Sequence, residues 1–197
     1  MTALDRAAAL VRSLPAGRRI LIGIAGAPGA GKSTFAGRLA AETAGTVLPM
    51  DGFHLPQATL LELGRRDRMG APDTFDLDGF VALLHALRTG DPVDAPGFDR
   101  TVEEPVPGAI RIEPTERILI IEGNYLLHWP QVAPLLDATI FVHVDEAMRH
   151  ERLIARHIAF GKTPEEARAW VLGPDQRNAE LVASGAARAD LALELLG

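Results

Sequence analysis

The sequence predicts an α/β fold, a five-stranded parallel sheet flanked by helices on both faces and carrying a small helical lid. Three observations predict it. Short, continuously apolar runs of strand length alternate with segments of helical period. A glycine-rich turn joins the first such run to a helix. Gly and Pro are spread as punctuation, with no repeat, low-complexity tract or long linker among the 197 residues. Strands alternating with helices imply crossover connections, and hence a mostly parallel sheet covered on both sides. With 47% apolar residues the chain can bury one substantial core and is short for two. Residues 1–197 are therefore read as one domain, with the lid at about 149–168.

Along the chain, an amphipathic helix over about 3–14 ends at Pro15. RRILIGIA (18–25) is apolar enough to be a strand buried on both faces. Helical character runs over 32–44, followed by a short strand, TVLPM (46–50), and a long loop rich in Asp, Gly, Arg and Pro. Asp76 reads as the N-cap of a helix over 77–88 that Gly90 closes. After a Pro-rich stretch, RILII (117–121) and ATIFVHV (138–144) are two more buried strands, and helices start near 146 and 164. At the second, Thr163 caps, Pro164 takes the first helical position and Glu166 completes a capping box.

Composition narrows the function classes. A net charge of −6 gives no basic footprint for nucleic acid or an anionic membrane. No apolar run approaches twenty residues, and the first residues lack the basic start, apolar stretch and cleavage site of a secretory signal, so a cytoplasmic protein is expected. Absence of cysteine rules out disulfides and thiolate metal sites. A homodimer is left open. The twenty basic residues are eighteen arginines and two lysines, Lys32 and Lys162, so each lysine asks for a reason.

Residues 26–33, GAPGAGKS, fit the pattern G-x-x-x-x-G-K-[ST] and lie between a buried strand and a helix, where a phosphate-binding loop must lie. Gly26, Gly29 and Gly31 permit the turns that aim successive N–H groups at phosphate oxygens, with Ala27, Pro28 and Ala30 between them, and the following helix adds its N-terminal dipole. Lys32 supplies a compact charge for the β- and γ-phosphates of ATP. Ser33 offers its hydroxyl to Mg²⁺, with Thr34, one residue past the motif, a less suitable ligand. This is the P-loop NTPase fold.

A P-loop alone does not separate kinases from GTPase switches or from motor and transport ATPases. The chain has no N-K-x-D segment to read guanine and no room for a motor or transport domain. It has instead carboxylates at strand ends, where ligands of open parallel sheets bind. Asp51, after TVLPM, is placed to take the proton of an attacking hydroxyl, unless it serves only an Asp-Gly turn with Gly52. Glu122, after RILII, is placed to hold a water on Mg²⁺ or orient the acceptor, unless it is a cap.

The P-loop together with MDGFH (50–54), APDTFD (71–76), PGFDR (96–100), IIEGNYLL (120–127) and RLIARH (152–157) resembles, in order and over nearly the whole chain, the phosphoribulokinase, uridine kinase and pantothenate kinase superfamily. The nearest resemblance is to a bacterial branch labelled fructose-transport kinase or nucleoside/nucleotide kinase-like. The resemblance implies that Asp51 is the base, that Glu122 lies by the metal and acceptor, and that Arg156 belongs to the lid. It also matches Asp73 to a substrate-contacting position and Asn178 to a fixed position of the bacterial branch. Uridine kinases follow the aspartate with an aromatic pair, whereas this chain has Gly52, Phe53 and His54, a departure that counts against uridine as acceptor.

His54 and residues 64–76 form the expected acceptor wall. Arg65, Arg66 and Arg68 either clamp an anionic acceptor or form a solvated charge run, and Phe98 and Arg100 sit in a Pro-rich loop able to line a pocket. Arg149, Arg152 and Arg156 share one helix face, read as solvated at Arg149 and as lid at Arg156. Gly161 and Lys162 fall in a turn between helices, the natural site of a lid that closes to exclude water and brings Lys162 toward a phosphate. Trp170 reads as packing. The expected activity is ATP-dependent phosphorylation of a small-molecule hydroxyl, with a sugar-like acceptor ahead of nucleosides. The rivals are a nucleotide-dependent switch or sensor and a scaffold that keeps ATP for stability.

Overall fold

The computed structural model describes residues 1–195. Its main sheet has five strands, β1 (Ile20–Ala25), β2 (Thr46–Pro49), β5 (Ile118–Gly123), β6 (Ala138–His143) and β7 (Leu191–Glu194). Their order is β2-β5-β1-β6-β7, with every pair parallel. The helices are α1 (Ala3–Ser13), α2 (Lys32–Thr43), α3 (Gln57–Glu62), α4 (Leu77–Thr89), α5 (Glu146–Ala159), α6 (Pro164–Trp170) and α7 (Gln176–Ala183). Among the described residues, no helix is long and apolar enough to cross a membrane.

Strand β1 shows why its sequence is apolar at every position. Successive side chains point to opposite faces. Ile20, Ile22 and Ile24 pack with Val11 of α1 and Phe35 and Leu39 of α2, while Leu21 and Ala25 join the cluster holding Phe80, Leu84 and Leu87 of α4. The helix ends follow their residues: Thr2 and Asp5 form a capping box on α1, Asp76 accepts from the Gly79 N–H at 2.9 Å, and Gly90 closes α4 in the left-handed region.

Four of the five strands lie where the apolar runs put them. The fifth, β7, is the short half-exposed segment LALE, which follows the last helix and has no long apolar run to mark it. Two other readings are corrected. The Pro-rich stretch is an antiparallel hairpin, β3 (Val93–Asp99) with β4 (Glu104–Ile112), whose register shifts between Ala95 and Gly97. A two-stranded ribbon leaves one edge of each strand unpaired, so Pro96, Pro105 and Pro107 cost it few ladder bonds. The long loop after β2 contains α3 and three short 3₁₀ turns.

The hairpin reaches back over the loop that carries Asp51. A Cβ on Gly52 would lie 2.1 Å from the Pro96 carbonyl oxygen, so this glycine is fixed by the close passage of β3. The register aligns the carboxyl ends of three strands, Ile24 and Pro49 both standing opposite Glu122. Two residues beyond those partners come Gly26 and Asp51.

Candidate active site

Beyond that edge lies a cavity of about 340 Å³, lined on one side by Pro28, Gly29, Gly31, Lys32, Ser33 and Thr34 and on another by Asp51, His54, Phe98 and Arg100. Arg152, Arg156, Lys162 and Trp170 close a third side. The loop backbone takes the conformations its glycines permit, with φ of +80° at Gly29 and +87° at Gly31. Ala27 and Ala30 face away, toward a second cavity behind the loop, and Gly26 packs so closely on β6 that a Cβ would meet the Val142 carbonyl oxygen at 2.3 Å.

Lys32 is buried, its ammonium donating to the Ala27 carbonyl at 3.1 Å. Burial pushes its pKa down to about 8, against the opposing pull of Glu122 and Asp51 and with help from Arg156 and Arg100. Ser33 donates its hydroxyl to Glu122 Oε1 at 2.9 Å, and burial raises the Glu122 carboxyl although Lys32 pulls it the other way. A hydroxyl, a carboxylate and an ammonium thus meet beside the P-loop.

Asp51 lies on the 3₁₀ turn after β2, and its Oδ2 accepts from Arg100 Nη2 at 2.5 Å. Its backbone carbonyl lies 2.8 Å from His54 Nδ1. The His54 ring is held between Phe75 and Phe98, with centroids at 4.0 and 4.6 Å, and burial lowers its pKa. From the hairpin turn, Glu103 pairs with Arg66, and Gln57 donates to the Val102 carbonyl at 2.6 Å.

Asp73 does not reach the cavity, because it pairs with Arg68 at 2.6 Å and Arg65 at 3.4 Å on the outer side of the loop. Of those three arginines only Arg66 lines the cavity. Arg149 is not solvated. It is 5% exposed, its Cγ stands within reach of a Cβ on Gly29, and it donates to Gln176. Trp170 does more than pack, since its ring lies 4.6 Å from the Lys162 ammonium on the cavity wall. Asn178 donates to the Gly70 carbonyl at 3.3 Å, which also accepts from the Tyr125 hydroxyl at 2.5 Å. Sequence reasoning missed Glu103, Asn124 and Asp175 on the lining. Asp175 ends a π-helical turn (Val171–Asp175) and holds His157 Nε2 at 2.8 Å, an irregularity that only Pro174 hints at.

Residues 21–171 match the phosphoribulokinase/uridine kinase family. The chain belongs to that family. A Schizosaccharomyces pombe protein provisionally named a uridine kinase is 36% identical over 201 residues, spanning 91% of this chain and 84% of that one. The uridine kinase of Clostridium perfringens is 32% identical over 145 residues, spanning 72% of this chain and 69% of its own length. A solved structure from a Silicibacter species, provisionally named a fructose transport system kinase, superposes with a TM-score of 0.90 at 37% identity, over 98% of this chain and 99% of that one. As a phosphoribulokinase/uridine kinase family member the chain is an ATP-dependent kinase with an alcohol group as acceptor.

Proposed function

We propose that this kinase transfers the γ-phosphoryl group of ATP to a hydroxyl of a small sugar or sugar-like metabolite, with Asp51 as general base. The observation that carries this reading is the single cavity in which the P-loop lysine and Asp51 face one another. In the reaction the Asp51 carboxylate accepts the hydroxyl proton as the acceptor oxygen bonds to the γ-phosphorus, the bond to the bridging oxygen breaks, and ADP leaves. Lys32 holds the β- and γ-phosphates and meets the charge that develops on them. Arg156, half-buried on α5, adds to that stabilisation, and residues 149–168 act as the lid that excludes water.

Ser33 would hold Mg²⁺ directly and Glu122 through a water. Their 2.9 Å hydrogen bond supports this, since it brings both donors to one point beside the phosphate loop. A hydroxyl with one carboxylate suits an ion that keeps several waters and takes its other ligands from phosphates. No cluster of three His, Cys, Asp or Glu able to cage an ion occurs among the described residues. When bound, Mg²⁺ would offset the negative charge of the phosphates.

The acceptor half favours a neutral polyol. Arg66 already has a carboxylate partner in Glu103, so it is not left waiting for an anion. Carboxylate, imidazole and amide groups suited to hydroxyls outnumber the apolar walls, and the Phe98 ring is occupied by His54. The test is ADP release over a panel of sugars, nucleosides and vitamins, each compared with ATP alone. Stimulation by a neutral sugar is expected. Turnover that no acceptor stimulates would instead support the switch or sensor reading.

A further inference from the structure

The tip of the β3–β4 hairpin is held onto the acceptor wall by two ion pairs. Arg100, just past β3, reaches Asp51 at 2.5 Å, and Glu103, just before β4, reaches Arg66 of the wall. Gln57 at the start of α3 adds its hydrogen bond to Val102 between them. Glu103 closes the hairpin loop in the left-handed region, with φ of +53°. Its carboxylate is engaged across the cavity mouth rather than with its own turn.

The consequence falls on Asp51. A carboxylate able to deprotonate an acceptor hydroxyl can equally deprotonate water, which is smaller and present at far higher concentration. An enzyme holding ATP with that carboxylate free would form a γ-phosphorus bond to water, break the bridging bond and release ADP, phosphate and a proton. Here one of the two carboxylate oxygens of Asp51, Oδ2, accepts from Arg100. The pair is half-exposed, with the Arg100 side chain at 46% and Asp51 at 23%, and such pairs are weak enough for a bound polyol to displace.

We propose that Arg100 is a positioning residue that selects against water as acceptor: it sequesters Asp51 until a hydroxyl held by the acceptor wall displaces it. The inference rests on the reading of Asp51 as base. Arg100→Met keeps the unbranched stem of the side chain and removes the guanidinium and its charge. With Mg·ATP alone, Arg100→Met raises ADP release by about tenfold or more, within the range of about 10²–10⁴ that a general base contributes. A merely structural role for Arg100 would not raise a rate. Arg100→Lys restores part of the suppression, and Arg100→Met/Asp51→Asn returns ADP release to the unsubstituted level. Normal folding and nucleotide affinity with no rise in Arg100→Met overturns the inference and leaves Asp51 as base untouched. A rise that persists in the double variant also overturns it, because the water is then activated elsewhere. Failure of the base reading itself appears separately, as full acceptor phosphorylation by Asp51→Asn.

Discussion

Lys32 carries an electrostatic cost, because its ammonium is buried and donates to the Ala27 carbonyl. A pKa near 8 means that it is charged below that pH and increasingly neutral above it. Bound polyphosphate favours the charged form, so the affinity for Mg·ATP should fall as pH rises through about 8, and binding there should take up a proton. Calorimetry at pH 8.5 in two buffers of different ionisation enthalpy would detect that uptake (~0.5 proton or more by the same linkage), and Lys32→Met should abolish it along with most of the affinity. Equal proton uptake in the variant would move the titration to another group. Asp51 makes the complementary prediction. Asp51→Asn keeps the turn, since asparagine and aspartate both suit it, and Gly52 is fixed by Pro96 rather than by its neighbour. Mg·ATP affinity should persist while acceptor phosphorylation falls by about 10² or more.

At the scale of elements, what was legible in the sequence depended on whether the signal was local. A strand buried on both faces writes itself as an apolar run, which is why β1, β5 and β6 could be read, and the P-loop writes its own linear pattern between strand and helix. The hairpin leaves no such trace. β4 is largely exposed and β3 mixed in burial, both are interrupted by prolines, and the chain carries them over the Asp51 turn, so Glu103 reached the site through tertiary placement alone. Asp73 went the other way: its position beside the acceptor wall was legible, but Arg65 and Arg68 hold its side chain outside. The proposed lid is intermediate: its helices α5 and α6 are readable, whereas the π-helical turn that follows them is not. From α5, Arg156 lines the cavity while Arg149 is packed behind the P-loop, one helix face serving two cavities. Arg156→Ala should therefore lower kcat by at least about tenfold, within the loss expected when one preorganised charge is removed, with little change in Mg·ATP affinity. Matched steady-state kinetics and nucleotide titration would check it, and a variant silent in both would remove Arg156 from the lid.

The molecule as a whole separates its chemistry from its polar anchor, and the two occupy opposite ends of the parallel sheet. Function gathers beyond the carboxyl ends of β1, β2 and β5. At the other end, Asp137, 7% exposed and just before β6, accepts from the Leu21 N–H at 2.8 Å and from Arg88 Nη1 of α4 at 2.6 Å, and pairs with Arg18. One carboxylate thereby ties the central strand, its neighbour and a covering helix. Burial pushes its pKa up, but the hydrogen bonds from Arg88 and Leu21 and the two guanidinium charges outweigh that and hold it below the ordinary value. A depressed folded pKa means that the stabilisation is present above the unfolded value of about 3.9 and is lost as pH falls through the folded one. Asp137→Ala leaves the half-buried Arg88 guanidinium and the Leu21 N–H without their acceptor, a loss of about 1.5–3 kcal/mol for hydrogen bonds to a charged group. For a chain of this size that lowers Tm by roughly 5 °C or more at neutral pH. Asp137→Asn, which can still accept from Leu21, should fall between the two. Nucleotide affinity should be unchanged in whatever fraction is folded, because no cavity residue touches Asp137. Thermal melts from pH 7 down to pH 3 are the measurement. The difference between wild type and Asp137→Ala should be largest at neutral pH and narrow in acid as the carboxyl protonates in the wild type. A constant difference across that range would mean that Asp137 contributes packing and not charge, and that some other carboxylate sets the acid limb.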